Sequence, residues 1–66
     1  MNTGQFIREM RRERGLPMRE LAELSGLHLN TVGRCERGRN ISLANFEKLV
    51  AVLGYEIELM ELTSKN

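Results

Sequence analysis

The chain has one cysteine, one histidine and no apolar run near the roughly 20 residues that span a bilayer. A lone Cys35 excludes an internal disulfide, and Cys35 with His28 cannot fill a four-ligand zinc site. Nor is there a nucleophile–base set. Cys35 falls on the apolar side of a helical pattern, His28 lies seven residues away, and the glutamates sit on polar faces without clustering. No metal, cofactor or catalytic activity is therefore expected, and no segment suggests a pocket for a small-molecule effector. The N-terminus lacks the charged-then-apolar layout of a signal peptide, so a reducing cytoplasm, where a single thiol persists, is the expected location.

Sixty-six residues make one domain. A chain this short buries only about 60% of the surface that it exposes when unfolded. With disulfide and metal excluded, a second subunit is the remaining source of extra stability.

Net charge is only +1, but it is unevenly spread. Residues 1–40 hold eight arginines (Arg8, Arg11, Arg12, Arg14, Arg19, Arg34, Arg37 and Arg39) against five glutamates. Residues 41–66 hold two lysines against four glutamates. Every basic side chain of the first part is thus a guanidinium, the group suited to forked contacts with phosphate and guanine.

Apolar spacing predicts four to five short helices around one core. Asn2 or Thr3 can cap a first helix carrying Phe6, Ile7 and Met10 and ending at Gly15. Pro17 suits the first turn of a second, with Leu21, Ala22 and Leu24, that stops before Gly26. A third runs from about His28 to Arg37, burying Val32 and Cys35, with Leu27 plugging the angle before it and Gly38 closing it. Ser42 then caps a fourth whose Leu43, Phe46, Leu49, Val50 and Leu53 are spaced for one buried face, and Gly54 ends it.

After residue 54 the period changes. Tyr55, Ile57 and Leu59 alternate with Glu56, Glu58 and Met60, as in a half-buried strand. A lone strand leaves its backbone groups unpaired, so residues 55–62 are expected to pair with the same strand of a second subunit across a twofold axis. The alternative is a segment that lies along its own domain. The organisation expected is a body over residues 1–54, a dimerising strand over 55–62 and a tail over 63–66.

The segment from Met18 to Arg37 carries the chemistry. Two short helices meeting at a glycine form a corner, and a duplex major groove about 12 Å wide accepts the second of them. Ala22 lets the two helices approach, while Leu21, Leu27, Val32 and Cys35 fix the angle. Any compact helical corner shares that geometry, so the corner alone does not establish DNA binding.

The run GLPMRELAELSGLHLNTVGRCERGR, Gly15 to Arg39, resembles the Cro/repressor (Xre) family of helix-turn-helix domains. The family pattern is approximately G-L-T-Q-x-x-L-A-x-x-A-G-V-S-x-x-x-I-S-x-x-E-x-G. Gly15, Leu16, Leu21, Ala22, Gly26, Val32, Glu36 and Gly38 match it, and the flanking helices extend the likeness over residues 4–54. The resemblance implies a lambda-repressor-like helical bundle that binds double-stranded DNA. It implies an ion pair between Arg11 and Glu36 that orients the third helix. It places Leu29, Asn30 and Arg34 at the groove floor, where asparagine pairs with adenine, arginine with guanine and leucine meets a thymine methyl. Phosphate contacts are implied for Met18 (through its backbone), Arg19, His28, Thr31, Arg37 and Arg39.

Several positions depart from the pattern. Pro17-Met18 replaces threonine-glutamine, so a hydroxyl cap and a DNA-contacting amide are both missing. His28 stands where serine commonly caps the third helix. Gly33 lightens that helix's exposed side. The reading that follows is a transcriptional regulator, a repressor or autorepressor, acting as a homodimer on a near-palindromic site. The alternatives are an antitoxin-type regulator that also binds a toxin protein, and an interaction module that no longer binds DNA.

Overall fold

The computed structural model describes residues 3–57. Four helices appear in chain order: α1 (Thr3–Glu13), α2 (Met18–Ser25), α3 (Leu29–Glu36) and α4 (Leu43–Val52). None is longer than 11 residues, so each depends on burying one face against its neighbours. Their shared core is Ile7 from α1, Leu21 and Ala22 from α2, Val32 and Cys35 from α3, and Leu49, Val50 and Leu53 from α4 and its end. Phe6, Met10, Leu16, Met18, Leu27, Ile41, Phe46 and Ile57 close over it.

All four helices end alike. At each, a glycine with φ between 62° and 91° donates its N–H back into the last turn. The residue after it donates one turn deeper: Leu16 to Arg11, Leu27 to Ala22, Arg39 to Arg34 and Tyr55 to Val50. This double closure satisfies carbonyls that the helix itself leaves unpaired, and it favours an apolar residue after the glycine. Leu16 and Leu27 pack against the core, and Tyr55 lies on Phe6. At α3 the same place is taken by exposed Arg39. Three closures fasten their helix inward, and the fourth turns a cation outward.

The starts differ more than the ends. Ser42 caps α4 as its spacing predicts, its Oγ accepting from the N–H of Asn45 at 3.1 Å. Pro17 lies just outside α2 with an extended backbone and caps nothing through its side chain, one residue earlier than the first-turn place expected for it. His28 is the cap of α3: its Nδ1 accepts the N–H of Asn30 at 3.0 Å. An imidazole lone pair thus does what an oxygen usually does.

Two apolar residues are less covered than their spacing suggests. Leu43 is 51% exposed in the first turn of α4, and only Leu49, Val50 and Leu53 of the expected face are buried. Leu24 is 60% exposed on the outer side of α2. In the tail, Tyr55, Glu56 and Ile57 are not strand. Tyr55 instead binds its own domain: its ring meets Phe6 edge-on at 5.3 Å between centroids, and the Arg14 guanidinium stacks 5.7 Å above it. Its hydroxyl donates to Met10 Sδ at 3.3 Å, and Ile57 packs against the core. The rest of the expected strand, including Leu59, and the cap residue Asn2 lie outside the described residues.

Of the glycines described, Gly4 makes the closest backbone approach. Gly4, in the first turn of α1, is buried against the end of α3. A Cβ built there would stand 2.3 Å from the Cys35 carbonyl oxygen and 2.9 Å from that of Glu36. Only a glycine permits backbones this close.

Candidate nucleic-acid interface

The fold aims α3 outward along a line opposite its buried residues. Val32, Cys35 and Glu36 face inward, which leaves Asn30 and Arg34, one turn apart, on the exposed side. Leu29 sits on the flank of that line at 37% exposure. The three residues expected at the groove floor therefore lie on adjoining strips of one helix, with Asn30 and Arg34 central.

The angle of α3 is held by one carboxylate. Glu36 is buried, and Arg11 forks onto it: Nε donates to Oε2 at 2.6 Å and Nη2 to Oε1 at 3.0 Å. The remaining Arg11 nitrogen, Nη1, donates to the Leu16 carbonyl at 2.9 Å, so the same side chain also fastens the turn before α2. Arg8 adds a second grip that the sequence reading did not anticipate. Its Nε lies 3.6 Å from Oε1, and its Nη2 donates to the Glu36 backbone carbonyl at 3.0 Å. Among the described residues no buried side-chain nitrogen or oxygen lacks a partner. A satisfied buried pair of this kind contributes more to orientation than to net stability. Glu36 and burial together hold the Cys35 thiol above its ordinary pKa, burial being the larger cause.

Around α3 lie the groups that suit a phosphate backbone. On one side the first turn of α2 has no side-chain cap, so its leading N–H groups face outward with exposed Arg19 beside them. Met18 is half-buried and packs against the core, so that residue offers its backbone alone. His28 is exposed at the other helix start. Its Nδ1 is occupied as an acceptor, which leaves the proton on Nε2, directed away from the helix.

On a second side, between α1 and the end of α3, an open cleft of about 580 Å3 is lined by Arg8, Arg12, Arg37 and Arg39, with Gln5, Glu9 and Glu36. Arg37 and Arg39 were expected near phosphate. Arg8 and Arg12 join them because α1 packs across α3, a placement visible only in three dimensions. On a third side, a polar recess of about 200 Å3 gathers Thr31, Arg34, Asn40, Ser42 and Asn45. Thr31 is half-buried there, next to the capped start of α4. Asn40 and Asn45 carried no sequence signal beyond their polarity.

Gly33 has an unexpected occupant. It is buried, and the atoms nearest its missing side chain are those of the Arg37 guanidinium, with Nη1 3.2 Å from where a Cβ would stand.

Among the described residues no group of three histidine, cysteine or acidic side chains could hold a metal. None of the described helices is long and apolar enough to cross a membrane.

Comparison with known proteins agrees with this arrangement. A family model described as helix-turn-helix matches residues 7–60. Among solved structures, the chain is similar to the restriction-modification controller protein C.AhdI from Aeromonas hydrophila, with 49% identity and a TM-score of 0.77. That match covers 82% of this chain and 83% of the other. It is also similar to a chain of the SinR protein/SinI protein complex, at 34% identity and a TM-score of 0.72, over 82% of this chain and 54% of that one. No curated protein matches it.

Proposed function

This chain belongs to the helix-turn-helix family of non-enzymatic, DNA-binding transcription regulators, and we propose that it reads a specific duplex sequence as a homodimer on a near-palindromic operator. The observation that carries the reading is the exposed line of Asn30 and Arg34 on α3, flanked by the uncapped start of α2. Asparagine and arginine are the side chains that fork onto adenine and guanine edges. The leading N–H groups of α2, with Arg19, and Arg8, Arg12 and Arg39 of the cleft supply phosphate contacts on either side. Arg11 and Glu36 act as the orienting pair. In a dimer, two copies of α3 spaced about 34 Å apart enter successive major grooves.

The likeness to C.AhdI supports a narrower version, in which the regulated genes are those of a restriction-modification system. The experiment is selection of bound sequences from a random duplex pool, followed by affinity measurements against salt. A dimer neutralising several phosphates loses affinity steeply as salt rises. Arg34→Ala costs about 1–3 kcal/mol on the selected site and relaxes one base position. A flat salt dependence, or a pool from which nothing is enriched, refutes sequence reading. Half-sites about ten base pairs apart support the dimer, and a single half-site counts against it.

A second reading is a regulator that is also held by a protein partner. It is favoured by the likeness to a chain of the SinR protein/SinI protein complex. An antitoxin-type role is one form of it, with a toxin encoded beside this gene. Co-purification with the product of the neighbouring gene tests it, and a chain that purifies alone at its homodimer mass opposes it.

A further inference from the structure

We propose that Arg37 reads a base, and that Gly33 is the seat that lets it do so. The inference rests on the proposed DNA-reading role of α3. Glycine inside a helix costs about 1 kcal/mol relative to alanine, so its presence in the middle of an eight-residue recognition helix calls for a compensating gain. The guanidinium of Arg37 lies against the open side of Gly33, with Nη1 3.2 Å from where a Cβ would stand, so a larger side chain at 33 would push it away. Helical side chains lean toward the N-terminus, so a long one at 37 lies over residue 33, one turn back.

From there its neighbours on the helix surface are Leu29 and Asn30, four and three residues before Gly33. The guanidinium therefore sits beside the groove-floor residues, at the edge of the cleft that Arg8, Arg12 and Arg39 also line. Arg34 lies on the other side of Asn30's line. Two forked donors consequently flank one asparagine, and each suits guanine at O6 and N7. Leu29 walls the seat on the remaining side, where it offers carbon to a thymine methyl.

The test is sequence selection with the wild type, Arg37→Ala, Arg37→Lys and Gly33→Val, each checked for folding by a helical melt. The wild type is expected to enrich two guanines per half-site, one dependent on Arg34 and one on Arg37. Arg37→Ala loses the second preference and about 5- to 150-fold affinity for the selected site. Gly33→Val fills the seat and loses the same base preference with Arg37 still present. Should that variant fail to fold, Arg37→Lys decides: it keeps the charge and the salt slope but loses the fork, and with it the guanine. Uniform weakening of all sequences by Arg37→Ala, with a salt slope shallower by about one, makes Arg37 a phosphate contact and overturns the proposal. In that case DNA reading through Arg34 survives. Absence of any enrichment with the wild type overturns both.

Discussion

Replacing Gly4 by alanine adds one methyl group where the backbones of α1 and α3 meet most closely at a glycine. The new carbon would lie 2.3 Å from the Cys35 carbonyl oxygen, 2.9 Å from that of Glu36 and 3.0 Å from the Glu36 carbonyl carbon. These are backbone atoms of α3, so no side chain can rotate away. Relieving the closest contact opens the gap between α1 and α3 by about 1 Å, and a gap of that size forfeits a quarter to a half of the dispersion attraction across it. Ile7, Val32 and Cys35, all buried in the common core, lose contact first. Overpacking costs about 1–3 kcal/mol, and the better helix propensity of alanine returns at most ~1 kcal/mol. Gly4→Ala is therefore expected to destabilise by about 1–2 kcal/mol, lowering the melting temperature of a domain this small by roughly 5–15 °C. Circular dichroism melts at one fixed protein concentration measure it. Gly33→Ala is the control, since the nearest atom to its new carbon belongs to a flexible guanidinium at 3.2 Å; its melting temperature rises or stays level. A Gly4→Ala protein that melts at or above the wild type refutes the close-approach argument.

Glu36→Gln keeps the shape of the buried carboxylate and removes its charge, leaving Arg11 and Arg8 facing a neutral amide. Urea unfolding is expected to show a loss of about 2–3 kcal/mol, and a loss under 0.5 kcal/mol would mean that the pair is decorative. His28→Ala removes the cap of α3 and costs ~1 kcal/mol, whereas His28→Asn restores most of it; equal urea midpoints for the two variants would show that Nδ1 is not the cap. The Cys35 thiol is held above its ordinary pKa by burial and then by Glu36. The unfolded thiol ionises first as pH rises past about 8.5, so stability is full below that value and falls above it. Urea midpoints between pH 7 and 10 should decline less for Cys35→Ala than for the wild type, and parallel profiles would rule out the thiol as the cause.

Much of this was legible in the chain. Apolar spacing and four punctuating glycines located the helices, because short amphipathic segments leave few other ways to bury Ile7, Leu21, Val32 and Leu49 together. The meeting of Arg11 with Glu36 followed from family likeness and could not have come from spacing, since 25 residues separate them. Gly4 was illegible for a related reason: a glycine in a first helical turn looks merely permissive until the neighbouring backbone is in place. Arg8 and Arg12 gave only a polar helix face, and their meeting with Arg37 and Arg39 depends on the packing of α1 across α3. His28 stands where an oxygen-bearing cap is usual, while the bond itself needs only a lone pair at the right distance. The alternation after Gly54 points to a strand; among the described residues, Tyr55 meets a ring and a thioether of α1 and the guanidinium of Arg14 just past its end.

The grip on Glu36 also bears on modularity. The reading helix is aimed by Arg8, Arg11 and Gly4, and all three belong to α1, outside the Met18–Arg37 corner. Grafting that corner onto another scaffold would transplant its side chains without their aim. A chimera that keeps its specificity has to carry α1 with it, and the smallest exchangeable unit in this protein is three helices, not two.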